Sequence, residues 1–576
     1  MASLLESIKS PRDIKKLDME NLERLADEIR VRMIGVTSKK GGHLASSLGA
    51  VEIVIALHYC LNTPEDRIIW DVGHQSYAHK ILTGRNEAFD TLREMGGISG
   101  FPNAKESPYD TFTSGHSSTS ISSALGLAKA RDLKGLKYKV AAVIGDASLS
   151  TGLAFEGLNH AGHDKTGMLI VLNDNDHSIA RPVGALSGYL NKVISNPLYN
   201  KVREESEKLV NRIPRVGASA VNTARKFQEG LKNLIVPGIL FEELGVRYFG
   251  PIDGHDLESL ISMIPRIADL KEPVLLHTVT RKGKGYDFAE KEPIRFHGIL
   301  SFDPETGEQK KKKERTFTDH FSDIMMDLAE KHPELVAVTA AMPDGTGLAR
   351  MAERMPERVF DVGITEGHAV TFAGGLARGG MKPVVAIYST FMQRAYDQLI
   401  HDVALQELPV VFCLDRAGLV GRDGPTHHGV FDIAYTRTLP GFVVMAPKDG
   451  TELEHMMEKA VKWDRPVVIR YPRSVCRQIV PEVSCQPVEI AKAEELRKGR
   501  RTAIIAVGEM VNTALLAADR LSHKGIETGV VNARFIKPLD KQMLEDMFRR
   551  YECIYTLEEG VVTGGFGSGV LEFAEM

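Results

Sequence analysis

Residues 140–179 decide the fold of this chain, and they read VAAVIGDASLSTGLAFEGLNHAGHDKTGMLIVLNDNDHSI. Two short apolar runs, 140–144 and 168–172, flank a helix-compatible segment, which predicts a strand, a helix and a second strand. Two strands joined in this way are parallel, and ligands bind at their carboxyl ends in open α/β sheets. We therefore expect Asp146 and Asn175, which follow the two strands, to lie side by side at that edge.

Asp146 and Asn175 carry oxygen atoms of the kind that Mg²⁺ prefers, together with phosphate oxygens. The pair therefore suits a metal that holds a diphosphate, although an ordinary βαβ unit can carry the same residues. The spacing resembles the thiamin-diphosphate-binding motif, in which an Asp and an Asn bind the metal. That motif usually begins Gly-Asp-Gly, whereas this chain has Ala147 in the third position.

Composition limits the function classes. A chain of 576 residues exceeds one hydrophobic core and predicts three or four domains on length alone. A net charge of −4 gives no case for nucleic acid binding. Five cysteines without CxxC spacing predict reduced thiols in a cytoplasmic protein, and neither a signal peptide nor a membrane span is expected.

The order of the patterns predicts an α/β fold with three domains and mainly parallel sheets. The first domain is expected at 1–315, with a helical insertion at about 180–240 and a solvated linker at about 301–315. The second is expected at 316–490 and the third at 491–576. Residues 250–256 are interpreted as a turn, and residues 491–501 as a charged linker.

Three loops of the first domain are candidate binding segments. His43 follows a glycine pair, and His74 follows a predicted strand at 68–72. The loop at 112–120 is rich in serine and threonine and precedes a helix, so its N–H groups and hydroxyls can bind an anion. A capping loop with a solvated histidine is the alternative interpretation of the His43 loop, and a serine- and threonine-rich N-cap loop is the alternative for 112–120.

The second domain carries four further motifs: DVGITEGHAV at 361–370, YSTFMQRAYDQ at 388–398, DRAG at 415–418 and GRDGPTHHG at 421–429. Together with the three histidine loops, and in this order, they resemble the 1-deoxy-D-xylulose-5-phosphate synthase family of transketolase-like enzymes over essentially the whole chain. The resemblance implies condensation of pyruvate with D-glyceraldehyde 3-phosphate, with loss of carbon dioxide, as the entry to non-mevalonate isoprenoid synthesis. It also implies thiamin diphosphate, Mg²⁺ and a homodimer.

The resemblance assigns roles to individual residues. Glu366 is expected to contact N1′ of the cofactor's aminopyrimidine ring and to act in catalysis with His43, His297 and His427. The other residues expected to bind the cofactor are His74, Gly115, His116, Ser117, Asp146, Ala147, Ser148, Asn175, Lys284, Tyr286, Phe391 and Arg394. The residues expected to bind substrate are His43, Tyr388, Arg416, Asp423, His427 and Arg473. The expected metal ligands are Asp146, Asn175 and the backbone of His177.

Two other functions stay open at this point. A transketolase shares the cofactor and the three domains, but it transfers a two-carbon ketol unit. A catalytically inert protein of this fold, serving as a binding or regulatory subunit, is suggested by Ala147 and by an end at Met576, short of the last elements expected in the third domain. The sequence also leaves open whether the cofactor-binding domains meet within one chain or across two.

Overall fold

The structure is a computed structural model that describes residues 3–175, 184–195, 238–309, 314–477 and 487–576. The chain divides into two compact units, Met1–Lys311 and Lys312–Met576. Most of the predicted helical insertion at about 180–240 lies outside the described residues. Two helices at its margins are described, Ala185–Ser195 and Ile239–Glu243.

The first unit contains one parallel sheet in the order β1-β2-β3-β5-β4. Its strands are β1 (Arg67–Trp70), β2 (Val140–Gly145), β3 (Met168–Asp174), β4 (Arg247–Asp253) and β5 (Pro273–Val279). The register pairs Gly145 of β2 with Asn173 of β3, so the two strands end side by side. The parallel strands predicted at 140–144 and 168–172 are confirmed.

Helices pack on both faces of this sheet. Successive strand residues point to opposite faces, so Ile68 and Trp70 lie in one apolar cluster and Ile69 lies in the other. The α-helices that the structure describes in this unit, with the two already named, are Pro11–Ile14, Met19–Lys40, Leu44–Gly49, Val51–Cys60, Tyr77–Lys80, Ser120–Leu133, Asp146–Leu149, Gly152–Asp164, Leu257–Ile267 and Asp287–Lys291. A strand covered on both faces is apolar throughout, which explains the continuous apolar runs in the sequence.

The second unit contains two sheets. Their strands are β6 (Leu335–Thr339), β7 (Val359–Asp361), β8 (Lys382–Tyr388), β9 (Val411–Asp415), β10 (Val443–Met445), β11 (Val467–Arg470), β12 (Glu494–Arg497), β13 (Thr502–Ala506), β14 (Thr528–Asn532), β15 (Phe535–Lys537) and β16 (Cys553–Leu557). The sheet orders are β15-β10-β11-β9-β8-β6-β7 and β12-β14-β13-β16. All pairings are parallel except β15 with β10 and β12 with β14.

The helices of the second unit cover both sheets. They are Phe317–Lys331, Ala349–Arg354, Glu366–Arg378, Ser389–Met392, Tyr396–Gln398, Asp432–Thr436, Gly450–Ala460, Met510–Ser522, Lys541–Arg550 and Phe566–Ala574. One apolar cluster contains residues of both sheets, including Val385 and Ile505. The two sheets therefore share a core, and β15, which lies late in the chain, completes the seven-stranded sheet. The three-domain division stays a prediction, since both sheets belong to one compact unit.

A buried ionic cluster also joins the two sheets. Glu452 contacts Arg534 at 2.7 Å and Lys448 at 3.2 Å, and Glu494 contacts Lys448 at 3.0 Å and Arg534 at 3.1 Å. All four side chains are nearly inaccessible to water. Each charge has an opposite partner, which a buried charge needs.

Three local interpretations were wrong in part. Of the turn expected at 250–256, residues 250–253 belong to β4, where Gly250 and Pro251 fall within a shift of register, and residues 254–255 form a turn. The predicted charged linker at 491–501 contains β12, a short edge strand of sequence EELR in which three of the four residues are charged. In the linker expected at 301–315, residues 304–306, 308 and 309 are exposed as predicted, and residues 310–313 lie outside the described residues. Phe302 is an exception, since it is fully buried and its N–H donates to the Ser38 carbonyl.

Candidate active site

Asp146 and Asn175 lie at the carboxyl ends of neighbouring parallel strands, as the sequence predicted. Asp146 opens the short helix Asp146–Leu149 directly after β2, and Asn175 follows β3. Burial and the nearby charge of Asp174 raise the pKa of Asp146 to about 7, while Lys282 acts in the opposite direction. Asp146 is therefore a buried acid in a position where a cation would stabilise its charged form.

The two residues fit a bound metal. The Asn175 side-chain oxygen is buried and, among the described residues, has no hydrogen-bond partner. The described part of the chain contains no cluster of three His, Cys, Asp or Glu side chains suited to a metal. Two protein oxygens leave most positions of Mg²⁺ to other ligands, as in sites where phosphate completes the shell. The third expected ligand, the backbone of His177, lies outside the described residues.

Asn173 links this edge of the sheet to two neighbouring segments by hydrogen bonds. Its amide nitrogen donates to Gln75 Oε1 at 2.9 Å, and its oxygen accepts from the Thr280 hydroxyl at 2.6 Å. Asn173 is completely buried. Neither Asn173 nor Gln75 was predicted as a site residue, although Asn173 lies near the end of β3 and Gln75 lies in the loop after β1. The position at a strand end was the available signal.

The serine-rich loop before the helix Ser120–Leu133 is held by Asp71, which directly follows β1. Its carboxylate accepts the N–H groups of Ser118 at 2.8 Å and Ser120 at 3.1 Å. Ser118 has a positive φ of 74°, a strained conformation for serine. The Ser114 and Ser118 hydroxyls are buried and lack partners among the described residues. The loop therefore presents polar groups that a bound anion can satisfy.

Some of the predicted cofactor residues lie in this loop, and others lie in the short helix Asp146–Leu149. Gly115 and Ser117 are buried and His116 is half-buried. Ala147 and Ser148 belong to the first turn of the short helix that Asp146 opens. Ser148 is buried.

Three of the predicted histidines lie together. The ring of His297 is 5.8 Å from that of His43 and 5.3 Å from that of His74, measured between centroids. Burial holds the pKa of His74 and of His297 well below the usual value, so both rings are neutral near pH 7. The Ser46 hydroxyl lies 3.2 Å from His297 Nδ1, and the Ser47 hydroxyl donates to the His74 carbonyl at 2.9 Å.

Lys282, which was not predicted as a site residue, is a buried lysine near Asp146. Burial lowers the pKa of Lys282 to about 8, while Asp146 raises it. The predicted residue Lys284 is half-buried two positions further along. Tyr286 packs in the core against Phe296 and Phe302, and its hydroxyl donates to the Pro304 carbonyl at 2.9 Å. This contact gives Tyr286 a structural role, and its cofactor contact stays a prediction.

Glu366 is the first residue of the helix Glu366–Arg378 in the second unit. Its side chain is nearly inaccessible to water, and burial raises its pKa, while Arg394 lowers it. Arg394 Nε lies 3.3 Å from the Glu366 carboxylate. A raised pKa makes a carboxyl group a better proton acceptor, which suits a residue that exchanges a proton with a ligand.

Three predicted substrate residues, Tyr388, Arg416 and His427, lie in the same unit around Phe391, which is expected to bind the cofactor. The Phe391 ring lies 5.6 Å from both the Tyr388 ring and the His427 ring. The Arg416 guanidinium lies over the Tyr388 ring, 3.8 Å from its centroid. Burial raises the pKa of Tyr388, so its hydroxyl keeps its proton.

Arg473 and Asp423, the remaining predicted substrate residues, contact each other. Arg473 Nη1 lies 3.3 Å from the Asp423 carboxylate. Asp423 is buried, whereas the Arg473 side chain is 40% exposed. The guanidinium can therefore reach a ligand that enters from solvent.

The chain matches three models of known protein families. The 1-deoxy-D-xylulose-5-phosphate synthase model matches residues 5–280, the pyrimidine binding domain of transketolase matches 313–478, and the C-terminal domain of transketolase matches 491–576. Among curated proteins, 1-deoxy-D-xylulose-5-phosphate synthase of Syntrophus aciditrophicus (strain SB) is 53% identical over 99% of this chain and 89% of that protein. The chain belongs to the 1-deoxy-D-xylulose-5-phosphate synthase family.

The synthase family match extends to other relatives. The 1-deoxy-D-xylulose-5-phosphate synthase of Syntrophomonas wolfei subsp. wolfei is 51% identical over 99% of this chain and 90% of that protein.

A solved transketolase from Campylobacter jejuni is 18% identical over 96% of this chain and 98% of that chain, with a TM-score of 0.39.

As a member of the 1-deoxy-D-xylulose-5-phosphate synthase family, the chain is a transketolase-type transferase that depends on thiamin diphosphate. The predicted α/β fold with mainly parallel sheets is confirmed. None of the described helices combines the length and the apolar character needed to cross a membrane.

Proposed function

We propose that the chain condenses pyruvate with D-glyceraldehyde 3-phosphate to give 1-deoxy-D-xylulose 5-phosphate and carbon dioxide, using thiamin diphosphate and Mg²⁺. The observation that carries this proposal is 53% identity, over 99% of the chain, to a protein named as that synthase. The region aligned with that synthase includes the motifs of both units. The two transketolase domain models match only residues 313–478 and 491–576, which lie in the second unit.

Residues of the first unit would hold the metal and the diphosphate. Asp146 and Asn175 would supply two metal ligands, and the loop held by Asp71 would supply N–H groups and hydroxyls. Two observations support this assignment. The Asn175 side-chain oxygen is buried without a hydrogen-bond partner among the described residues, and so are the hydroxyls of Ser114 and Ser118. The cation would also stabilise the charged form of Asp146.

Residues of the second unit would contact the ring end of the cofactor and the substrates. When bound, thiamin diphosphate supplies the carbon nucleophile and the electron sink for loss of carbon dioxide. Glu366 would hold a proton on its carboxyl group and share it with a ring nitrogen. Its burial raises its pKa and supports this role, although the nearby Arg394 acts in the opposite direction. Phe391 would pack against the ring.

The histidines would orient substrate groups and move protons. His74 and His297 are neutral, so each ring offers one donor and one acceptor nitrogen. His43 lies beside His297, and in the second unit His427 lies beside Phe391. Neutral rings can accept a proton from a substrate hydroxyl without first losing one.

Arg416 and Arg473 would bind the phosphate of the aldehyde. A guanidinium donates two parallel hydrogen bonds to a phosphate, which makes it more selective than a lysine. At about 1.5–3 kcal/mol for each hydrogen bond to a charged group, two arginines favour a phosphorylated aldehyde by about a thousandfold.

The deciding experiment supplies pyruvate and D-glyceraldehyde 3-phosphate without any ketose donor, with and without thiamin diphosphate and Mg²⁺. We expect carbon dioxide and 1-deoxy-D-xylulose 5-phosphate only when the cofactors are present. Product formation that instead requires a ketose donor would identify a transketolase. No turnover and no heat of thiamin diphosphate binding in a calorimetric titration would identify an inert protein. The homodimer and the cytoplasmic location stay predictions, and light scattering tests the first.

A further inference from the structure

We infer that a buried ionic cluster in the first unit positions the loop 280–286 and thereby tightens the binding of thiamin diphosphate. The cluster, called the Glu52 cluster below, consists of Arg30, Glu52 and His255. This inference rests on the proposed function, in which the first unit holds the metal and the diphosphate. The sequence predicted no role for any of the three residues, and their contacts connect them to a loop that contains two predicted cofactor residues.

Glu52 lies at the centre of the cluster. Arg30 Nη2 donates to both carboxylate oxygens of Glu52, at 2.6 and 2.7 Å, and His255 Nδ1 lies 3.0 Å from one of them. Arg30 and Glu52 are buried, and the His255 side chain is 11% exposed. A buried ion pair adds little stability compared with apolar residues, so a positioning role explains its presence better than stability does.

The His255 ring binds the backbone of the loop. The Arg281 N–H donates to His255 Nε2 at 2.8 Å. A ring nitrogen that accepts a hydrogen bond carries no proton, so the proton of the neutral ring lies on Nδ1. Nδ1 therefore donates to Glu52, which accepts it at 3.0 Å. Glu52 thus selects the form of the His255 ring that accepts the loop.

Arg30 contacts the other end of the loop. Gly285 has φ of 82°, which favours glycine, and it lies directly against the arginine side chain. A Cβ atom added at Gly285 would lie 2.7 Å from Arg30 Cδ. The Glu52 cluster therefore contacts the loop at residues 281 and 285 and restricts the positions of the residues between them.

The same loop adjoins the proposed metal edge of the sheet. The Thr280 N–H donates at 2.9 Å to the carbonyl of Asp174, which belongs to the peptide group that precedes Asn175. The Gly283 N–H donates at 2.8 Å to the carbonyl of Ala45. Displacement of the loop would therefore disturb the backbone beside Asn175, where we propose that the metal and the diphosphate bind.

The test compares two substitutions of His255 that differ in the ring nitrogen they replace. The amide nitrogen of His255→Asn can take the place of Nδ1, and the amide oxygen of His255→Gln can take the place of Nε2. In His255→Asn we expect the affinity for thiamin diphosphate to fall about fivefold, because the hydrogen bond from Arg281 is lost. In His255→Gln we expect a change of less than about twofold. Calorimetric titration with Mg²⁺ measures both, and equal losses would contradict the inference.

Hydrogen exchange without cofactor gives a second measurement. In His255→Asn we expect amide exchange to become faster in residues 280–286 and to stay unchanged in the rest of the first unit. In His255→Gln we expect the exchange of the unaltered protein throughout. Faster exchange over the whole unit in His255→Asn would contradict the inference, because His255 would then only stabilise the fold.

Gly285→Ala tests the other end of the loop and covers the case in which His255→Asn does not fold. Position 285 is exposed, but the added methyl group must move the loop away from Arg30. We expect the affinity for thiamin diphosphate to fall about fivefold. Gly96→Ala is the matched control, since Gly96 is exposed, has φ of 77° and has open space around it. Full affinity in Gly285→Ala would contradict the inference.

The two measurements separate failure of this inference from failure of the proposed function. If the unaltered protein binds no thiamin diphosphate in the presence of Mg²⁺, the proposed function is wrong. If the unaltered protein binds it, and His255→Asn keeps the full affinity while residues 280–286 exchange faster, only the role of the Glu52 cluster in cofactor binding is wrong.

Discussion

The carboxylate of Asp71 accepts the backbone N–H of Ser118 at 2.8 Å, across 47 positions of sequence. The same carboxylate accepts the N–H of Ser120 at 3.1 Å. The two hydrogen bonds connect the end of β1 to the loop that contains Gly115, His116 and Ser117. Asp71 thus determines the shape of a loop that we propose binds diphosphate, without being expected to contact the ligand.

Asp71→Ala should weaken the binding of thiamin diphosphate by about tenfold, because the loop loses both hydrogen bonds to a charged acceptor. Calorimetric titration in the presence of Mg²⁺ measures this change. Asp18→Ala is the control, since Asp18 also caps a helix, by accepting the Asn21 N–H at 3.0 Å, but lies away from the loop. Unchanged cofactor affinity in a folded Asp71→Ala protein would contradict the role.

Asn175→Ala should lower the Mg²⁺-dependent affinity for thiamin diphosphate by about tenfold to a hundredfold. The Asn175 oxygen has no hydrogen-bond partner among the described residues, so its removal should leave thermal stability without ligand unchanged. Titration of Mg²⁺ at fixed cofactor concentration, paired with thermal unfolding, checks both statements. A loss of stability with unchanged Mg²⁺ affinity would show that Asn175 is structural.

Glu366→Gln should reduce kcat by at least about a hundredfold, because the amide cannot hold the proton that the carboxyl group shares. Thiamin diphosphate affinity should change by less than about threefold, since the side chain keeps its size. Glu357→Gln, at an exposed position in the same unit, is the matched control. Turnover near that of the unaltered protein in Glu366→Gln would overturn the assigned role.

Stability should fall as pH drops below about 6.5, and His58 should contribute to that fall. His58 is completely buried between Thr63 and His79, and His79 donates to Asp110 at 2.8 Å. Burial first, and then the charges of His79 and Arg85, hold the pKa of His58 well below 6.5. Below pH 6.5 the unfolded chain therefore binds a proton that the folded chain does not, which costs up to about 1.4 kcal/mol per pH unit for each such histidine.

Urea unfolding at several pH values between 5 and 8 measures this slope. In His58→Gln we expect the dependence of the unfolding free energy on pH, below pH 6.5, to correspond to about one proton fewer than in the unaltered protein. Above pH 7 we expect His58 to add no pH dependence to the stability. His160→Gln is the control, because that side chain is 63% exposed. Equal slopes in the unaltered protein and His58→Gln would show that His58 does not titrate on unfolding.

Glu452→Gln should destabilise the second unit by about 3 kcal/mol or more. Glu452 is the acceptor for Arg534, Lys448 and Asn532, and its loss leaves a buried positive charge incompletely paired. Glu458→Gln lies on the same helix, but its side chain is 39% exposed, so we expect less than about 0.5 kcal/mol. Chemical denaturation of both variants gives the comparison, and equal stabilities would contradict the importance of the cluster.

Much of the fold followed from local patterns. The strands at 335–339 and in the 140–179 segment were predicted within one or two residues, because apolar runs bounded by polar turns are visible in the sequence itself. The short strands β7 and β15, of three residues each, carry too little periodicity to be recognised. Gly250-Pro251 is typical of a turn, but the neighbouring strand β5 keeps this segment in the sheet.

The sites divide in the same way. Three site residues could be predicted because they belong to motifs and lie at the end of an element. Asp146 and Asn175 follow strands directly, and Glu366 begins a helix. Lys282 was missed because a lysine in a glycine-rich loop gives no sign of burial. Tyr286 belongs to a motif, yet its ring packs among phenylalanines.

The sequence by itself determined the parallel α/β order, the family and most of the candidate residues, because strand patterns and motifs depend on neighbours along the chain. Only the tertiary structure decided which groups support them: Asp71, which accepts two N–H groups of the serine loop, and the ionic cluster between the two sheets of the second unit. These depend on burial and on hydrogen bonds between residues distant in sequence. Packing alone determines such contacts, since it decides which polar groups lose water and must find each other.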